Sequence, residues 1–531
     1  MRAGSIEGCA CAWKRSPGPV RGKGRLESEL LKPFNRRPNL TRLRASDRPT
    51  GAIALMVPSS QVRPSVLVYP FDMSEPRHRV PFQSDRSYPI RAGNFVQPLI
   101  DGEPAFLRIC EAVDAAQHSV WVTVTFIRDG FRMPGGRGTL FDVLDRAVRR
   151  GIDVRVIFWR PNPEATYVSP GSTFRGSQVD RDFLSARGCR IRIRWDRAHG
   201  EFCQHQKCWL IDAGQPTETA FVGGININPR ALVSPGHRGG GGIHDAYVEV
   251  SGPSATDVHH NFVQRWNEAS ERAAEDGIWA HDGDDELLFP ERASKSRGSA
   301  LVQIQRNVHA GLYRNNRASP GAEAFEIAKG EATIREQYLA AIRSAQRSIY
   351  IENQAISVGA IVDAIGDALL RGVQIVVLLP AEPESWVRAA RLRPASKDFF
   401  DKFAALDEFD NFSLVGIAGT DAEGLRTSVY VHAKLMLVDD AWATIGSCNL
   451  HRNSLFGHTE LNASFWSPEH VRSLRCRLLA EHLGCDTGHL DDREALIRYR
   501  SVAVENAQKR RLGRNDWDGL AFRLDPATYG E

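Results

Sequence analysis

The sequence carries one chemical motif twice, once in each half of the chain. Both copies place a lysine two residues after a histidine and an aspartate five residues after the lysine: His205, Lys207 and Asp212, then His432, Lys434 and Asp439. In an extended strand alternate side chains point to the same face, so each histidine would share a face with its lysine. A single His-x-Lys fits an ordinary histidine beside a solvated lysine. Two copies in the same order, 227 residues apart, make that interpretation a poor one.

A turn of small residues ending in asparagine follows each motif. We expect these turns to bind substrate through six residues: Gly223, Gly224 and Asn226 in the first half, and Gly446, Ser447 and Asn449 in the second. The lysine-to-asparagine spacing is 19 residues in the first half and 15 in the second. The surplus falls around residues 213–220, where Gly214 and Pro216 mark a turn.

This set of side chains matches the needs of phosphodiester cleavage. The reaction needs cations around the phosphoryl oxygens, a nucleophile, and a proton donor for the departing alkoxide. The lysines and asparagines would bind the oxygens. One histidine would attack phosphorus to give a phosphohistidine while the other protonates the leaving group. Because the lysines supply the positive charge, we expect no metal ion and no cofactor.

Each histidine also needs an acceptor for its second ring nitrogen, which fixes its tautomer. Asp245 lies 19 residues after the first asparagine and Glu460 lies 11 residues after the second. We predict Asp245 as the orienting acid of the first half and Glu460 as that of the second, with a surface carboxylate as the alternative for each. We count Asp212 and Asp439 among the catalytic motif residues. They lie at the far ends of the motif strands, where we expect them to secure those strands through backbone or lysine contacts.

The elements around the motifs repeat as well. Amphipathic helices are predicted over residues 140–150 and 361–371, each closed by a glycine, and apolar strands follow at 153–158 and 374–379. Strands that alternate with helices indicate an α/β fold with parallel pairing. The chain is therefore predicted to form two tandem α/β lobes, with mixed, mainly parallel sheets flanked by helices.

The predicted boundaries divide the chain into five segments: a disordered basic extension (1–75), the first lobe (95–270), a linker (271–330), the second lobe (331–490) and a C-terminal tail (491–531). Residues 1–50 carry twelve Lys and Arg against four Asp and Glu, or +8, whereas the whole chain carries +4. The extension fits an organelle transit peptide. It fits better a translation start placed too far upstream, with Met56 and Met73 as alternative starts.

The paired motifs resemble the two HKD motifs of the phospholipase D superfamily, over most of residues 95–485. The segments 244–253, 350–354 and 445–455 are similar to its phospholipase D and cardiolipin synthase branch. The resemblance implies two lobes packed about a pseudo-two-fold axis as one catalytic unit. It also implies that His205 is the nucleophile and His432 the general acid.

The implied reaction is hydrolysis of a glycerophospholipid at its distal phosphodiester, which gives phosphatidic acid. Transfer of the phosphatidyl group to another alcohol, as in cardiolipin synthesis, is the close alternative. A nuclease ranks third, because the residues after the first 50 are net acidic at −4 and nucleic-acid binders usually carry a basic patch. A catalytically silent binding scaffold ranks last, because both motifs are complete.

The predicted partner is a phospholipid at a membrane surface, contacted peripherally by a cytoplasmic monomer. No stretch approaches the roughly 20 apolar residues that cross a bilayer. The loop predicted at 381–400 holds Trp386, Arg388, Arg391 and Arg393, which suit either an anionic lipid surface or a solvated helix face. The nine cysteines lack the paired spacing of a zinc site and favour reduced thiols.

Overall fold

The computed structural model describes residues 80–188, 190–270 and 285–531, and within them the chain runs twice through a similar order of elements. The elements of the first half are β1 (Arg91–Ile100), α1 (Gly102–Ala115), β2 (Ser119–Val124), α2 (Leu140–Arg149), β3 (Asp153–Trp159), α3 (Gln178–Ala186), β4 (Arg192–Asp196), β5 (Cys208–Ile211), β6 (Thr219–Gly223), β7 (Ile243–His244), β8 (Ala246–Ser251) and α4 (Ala255–Glu268). The predicted N-terminal extension and the beginning of the predicted linker, residues 271–284, lie outside the described residues.

The second half follows the same order of main elements, with short additional elements inserted and with a further helix and strand added at its end. Its elements are β9 (Ala300–Val308), β10 (Glu331–Ala332), α5 (Thr333–Ser344), β11 (Ser348–Glu352), α6 (Gly359–Leu370), β12 (Gln374–Leu378), α7 (Ser385–Arg391), α8 (Lys397–Ala405), β13 (Phe412–Thr420), β14 (Arg426–Ser428), β15 (Tyr430–Val431), β16 (Leu435–Val438), β17 (Trp442–Gly446), α9 (Arg452–Phe456), β18 (Glu460–Trp466), α10 (Pro468–Leu483), α11 (Asp492–Arg511) and β19 (Ala521–Arg523).

Each half builds a mixed sheet with the same strand order. In the first sheet the order is β1-β8-β6-β5-β2-β3-β4, with parallel pairing between β2, β3 and β4. In the second the order is β9-β18-β17-β16-β11-β12-β13-β19, with parallel pairing between β11, β12 and β13. The predicted α/β class with two mixed, helix-flanked lobes is confirmed.

The two sheets share one core. Strand β1 pairs antiparallel with β8 and also with β9, which connects the sheets. The largest apolar cluster contains residues of both sheets and of α4, α10 and α11. Two further clusters lie under the outer helices, one in each half. The halves therefore form one packed unit.

Glycines and capping side chains set the helix ends that the sequence predicted. The Thr139 side chain accepts the Asp142 N–H at the start of α2, and the Asp142 carboxylate accepts the Thr139 N–H in return. Gly151 and Gly372 follow α2 and α6 with φ of 85° and 84°, a backbone conformation that glycine adopts without strain. Each helix is then followed at once by a strand of its sheet.

Three segments differ from the sequence prediction. Residues 300–308, expected in the linker, form β9, whose Gln303, Gln305 and Asn307 are buried and hydrogen-bonded, so polarity hid the strand. The expected tail forms α11 and β19, and α11 begins with a capping box that starts at Asp491. The expected loop at 381–400 contains α7 and the start of α8.

None of the helices in the described residues combines the length and the apolarity that crossing a bilayer requires.

Candidate active site

Equivalent backbone pairings hold the two motif histidines at the contact between the halves. The His205 N–H donates to the Thr459 carbonyl at 2.9 Å, and the His432 N–H donates to the His244 carbonyl at 2.8 Å. Thr459 and His244 each precede a predicted orienting acid. Strands β5 and β16 begin directly after the motif lysines, so each motif histidine lies just before a buried strand of its sheet.

The two orienting acids are exchanged between the halves. His205 Nδ1 lies 2.9 Å from Glu460 Oε2, and His432 Nδ1 lies 2.6 Å from Asp245 Oδ2. The sequence placed Asp245 with the first half and Glu460 with the second, and this pairing is corrected. The cause is the backbone pairing between halves, because the residue before each acid lies against the motif of the opposite half.

Each imidazole has its second nitrogen available. Nδ1 of each ring is directed at a carboxylate, and in the described part of the chain no hydrogen bond engages Nε2 of either ring. A ring that donates from Nδ1 keeps its lone pair on Nε2 when neutral. Both rings are largely buried, with 6% of His205 and 8% of His432 exposed, so little of either ring is accessible to solvent.

The motif lysines lie folded back against their own strands. Lys207 Nζ donates to the His205 carbonyl at 2.8 Å, and Lys434 Nζ donates to the His432 carbonyl. Burial lowers the pKa of Lys207 to about 8 and the pKa of Lys434 to about 7. Burial together with the two ammonium groups holds the pKa of both histidines well below the ordinary value, which favours neutral rings.

The two acids are buried with the lysines. Burial raises the pKa of Asp245 to about 7, although the Lys434 ammonium opposes the shift. Burial also raises the pKa of Glu460. Two protonated lysines and two ionised acids would together carry no net charge. A phosphate anion bound among them would favour protonated lysines and histidines.

The two asparagines have uncommitted amides. Within residues 80–188, 190–270 and 285–531, neither the Asn226 nor the Asn449 side chain makes a hydrogen bond, and Oδ1 of each is buried. They follow β6 and β17, the strands next to the motif strands. The Nδ2 group of each amide could donate to an oxygen of a ligand.

The small residues of the predicted substrate turns lie close to neighbouring groups. A Cβ on Gly223 would meet the Ala246 carbonyl, one on Gly224 would meet the Asp245 carboxylate, and one on Gly446 would meet Asn462. Ser447 donates from Oγ to Glu460 Oε2 at 2.5 Å, and its carbonyl oxygen lies 3.1 Å from His205 Nδ1. These contacts connect Gly224 and Ser447 to the acids.

Asp212 and Asp439 fasten the far ends of the motif strands. Asp212 Oδ1 accepts the backbone N–H groups of residues 117–119 at 2.7 to 3.2 Å. Asp439 accepts those of residues 346–348 at 2.8 to 3.0 Å. Their φ values of 53° and 56° lie in the left-handed region, which Asp tolerates better than most residues. These contacts match the structural role that the sequence indicated for both.

Four aromatic side chains lie near the histidines, and all of them except Trp386 were missed by the sequence analysis. The ring centroid of His458 lies 5.7 Å from that of His205, that of His451 lies 5.9 Å from His458, and that of Trp386 lies 5.7 Å from His451. Tyr430 stacks on His432 at 6.2 Å. Two of them could have been found by spacing, because His458 precedes Glu460 by two residues and Tyr430 precedes His432 by two.

The fold and this pair of motifs define a class of protein. The chain matches the family described as "Cardiolipin synthase, PLD-like domain" over residues 109–266 and 338–480, which is more than half of the chain. It also matches the family described as "Phospholipase D" over residues 236–361. The chain therefore belongs to the phospholipase D superfamily.

Relatives within the superfamily carry two kinds of name. The chain is 24% identical to phospholipase D alpha 2 of Oryza sativa subsp. japonica, over 71% of this chain and 63% of the relative. It is 28% identical to cardiolipin synthase A of Pseudomonas entomophila (strain L48), over 69% of this chain and 64% of the relative. The matches thus span less than two thirds of either relative. The phosphatidylserine synthase structure from Haemophilus influenzae Rd KW20 aligns with 76% of this chain and 86% of its own, at 13% identity and a TM-score of 0.47.

Proposed function

We propose that this chain is a phosphodiesterase of the phospholipase D type, which cleaves the distal phosphodiester of glycerophospholipids to give phosphatidic acid. The observation that carries the proposal is the pair of buried imidazoles, each held at Nδ1 by the acid of the opposite half and each without a hydrogen bond at Nε2 in the described residues. Two lysines and two unbonded asparagine amides are available for the phosphoryl oxygens.

The first step forms a phosphohistidine. His205 Nε2 attacks phosphorus, and the bond from phosphorus to the alcohol oxygen breaks as His432 Nε2–H gives its proton to that oxygen. The negative phosphodiester offsets the lysines that depress the pKa of His432, so the ring can carry a proton when substrate is bound. Asp245, whose pKa burial raises to about 7, can share that proton.

The second step releases the phosphatidyl group. His432, now neutral, takes a proton from the incoming nucleophile while the bond from phosphorus to His205 Nε2 breaks. Water gives phosphatidic acid, and an alcohol gives a new phosphodiester. The match to the cardiolipin synthase family supports phosphatidyl transfer as the second candidate, with the same residues in the same roles.

Helix α7 is our candidate for the edge that meets the lipid surface, as a peripheral contact. Trp386 is exposed and its ring packs beside His451, while Arg388 and Arg393 are exposed on the same segment. Arg391 is committed elsewhere, because it lies over the Phe400 ring and donates to a carbonyl of the C-terminal segment. We therefore expect Arg388 and Arg393, but not Arg391, to contribute to binding of anionic vesicles.

The test uses phosphatidylglycerol labelled at phosphorus, with phosphatidylcholine and single-stranded DNA as competing substrates. We expect release of labelled phosphatidic acid, with a second labelled lipid when an acceptor alcohol is in excess. In the His432→Ala variant, given a labelled phosphatidyl substrate with a good leaving group, the label should remain on His205. Cleavage of DNA alone, or label on any other residue, would overturn the proposal.

A further inference from the structure

A second cluster of ionisable side chains is buried beside the second motif and takes no part in the proposed reaction. It joins Asp101 before α1, His237 from the loop before β7, His244 in β7 and Glu481 in α10. His244 Nδ1 lies 2.9 Å from Asp101 Oδ1, and His237 Nε2 lies 3.4 Å from Asp101 Oδ2 and 3.8 Å from Glu481 Oε1. One ligand atom from each of the four residues lies within 4.8 Å of the other three.

The hydrogen bonds outside the cluster leave the inner nitrogen of each imidazole facing the cluster, where His237 Nε2 lies 3.4 Å from His244 Nδ1. His237 Nδ1 lies 3.1 Å from the Gly241 carbonyl, to which it donates, so Nε2 keeps its lone pair toward the cluster. His244 Nε2 lies 3.0 Å from Glu352 Oε2, so Nδ1 could bind a cation in exchange for its proton. Histidines that bind metal ions usually donate their other N–H to a carbonyl or carboxylate in this way.

The carboxylates of the cluster have oxygen atoms without partners. Asp101 Oδ2 and Glu481 Oε2 are buried and, among the residues that the structure describes, accept no hydrogen bond. The Asp101 side chain is fully buried and that of Glu481 is 4% exposed. Leaving such an oxygen unpaired is costly, most of all for a charged group. Two carboxylates and two neutral imidazoles carry a charge of −2, which a divalent cation would neutralise.

We propose that Asp101, His237, His244 and Glu481 bind a divalent transition metal ion of the zinc class. Two imidazole nitrogens and two carboxylates from four separate elements form the mixed nitrogen and oxygen set that Zn²⁺ accepts in tetrahedral sites. Mg²⁺ and Ca²⁺ fit less well, because they prefer oxygen ligands alone.

The ion would position part of the candidate active site. The His244 carbonyl accepts the N–H groups of His432 at 2.8 Å and Ala433 at 3.1 Å, and His244 is followed by Asp245. Fixing the His244 ring would therefore fix the backbone of the second histidine and of its orienting acid. Metal binding stands independently of the proposed function, and only the effect on turnover rests on it.

The experiment measures metal content in the full chain, purified after growth with zinc, by inductively coupled plasma mass spectrometry. We expect one zinc per chain in the wild type, and loss of most of it in the His237→Gln and Glu481→Gln variants. His489→Gln is the matched control, because His489 is exposed and lies far in sequence from Asp101, His237 and His244. Growth with cobalt should give the visible absorption of tetrahedral Co²⁺ in the wild type and in the control.

A thermal melt keeps the test decisive if one variant folds poorly. Removing metal from the wild type should lower its melting temperature and adding Zn²⁺ should restore it, whereas Glu481→Gln should not respond. The proposal would be overturned if the wild type contained no zinc and showed no cobalt absorption. It would also be overturned if both variants retained the metal. A chain that binds one zinc but cleaves no lipid would refute the proposed function alone.

Discussion

His205 and His432 occupy equivalent places in the two halves, but the groups around them differ. The first is held by the longer acid Glu460, which also accepts the Ser447 hydroxyl. The second is held by the shorter Asp245, whose other oxygen accepts the backbone N–H of Ala246. The backbone around the two histidines is thus similar, but the two acid–imidazole pairs differ.

The difference suggests how two similar histidines take different roles. Burial raises the pKa of both acids, but the Ser447 hydroxyl opposes this shift at Glu460, which favours the Glu460 anion and His205 as a neutral Nδ1–H tautomer with a nucleophilic Nε2. Asp245 lacks a hydroxyl donor, and burial raises its pKa to about 7, so the Asp245–His432 pair can hold a proton near neutral pH. Because each acid belongs to the opposite half, neither half would contain a complete site alone.

Removing each histidine should give the largest effects and the clearest contrast. Both His205→Ala and His432→Ala should lower kcat by about 10⁴-fold, because each ring takes part in bond making or proton transfer. Only His432→Ala should accumulate a phosphohistidine with a substrate that has a good leaving group. Rapid quench and intact-protein mass spectrometry measure it. Accumulation in His205→Ala instead would reverse the assigned roles.

Neutralising the acids should cost less, because the rings remain. Asp245→Asn and Glu460→Gln should each lower kcat by about 10²- to 10³-fold through loss of the correct tautomer. Glu460→Gln should slow formation of the phosphohistidine, whereas Asp245→Asn should slow departure of a poor leaving group most. Single-turnover kinetics with leaving groups of different pKa provide the measurement. Equal sensitivity of both variants to the leaving group would remove the contrast between the halves.

The lysines predict an alkaline limit to activity. Burial lowers the pKa of Lys434 to about 7 and of Lys207 to about 8, and each binds phosphate as a cation only below its pKa. The value of kcat/KM should therefore fall about tenfold per pH unit between the two pKa values, and more steeply above the pKa of Lys207, where both cations are lost. Lys434→Arg should move the limit upward more than Lys207→Arg. A pH profile that is unchanged in both variants would contradict this cause.

The strand-end aspartates should affect stability rather than chemistry, and equally in both halves. Asp212→Ala and Asp439→Ala each remove an acceptor of three backbone N–H groups and should lower the free energy of unfolding by about 1–3 kcal/mol. Asn variants should lose less, since Asn keeps an acceptor and tolerates positive φ. Urea unfolding measures the loss, with activity per folded molecule as the control. Inactive but stable Ala variants would mean a direct part in catalysis.

Much of the architecture could be predicted because it depends on short stretches of sequence. Helix periodicity, the glycines after α2 and α6, and the repeated spacing around His205 and His432 gave the two α/β halves. The exchange of the acids could not be predicted, because His205 and Glu460 are 255 residues apart and only the packing of the sheets pairs them. Strand β9 was missed because its buried glutamines resemble a polar linker.

The exchange of acids is tested most directly by nitrogen NMR of the full chain with ¹⁵N-labelled histidine, with signals assigned from single substitutions. At neutral pH we expect both catalytic rings as Nδ1–H tautomers. Glu460→Gln should shift the His205 resonances and leave those of His432 in place, and Asp245→Asn should do the reverse. If Glu460→Gln shifts His432 and leaves His205 unchanged, each acid serves its own half, and the exchanged arrangement is wrong.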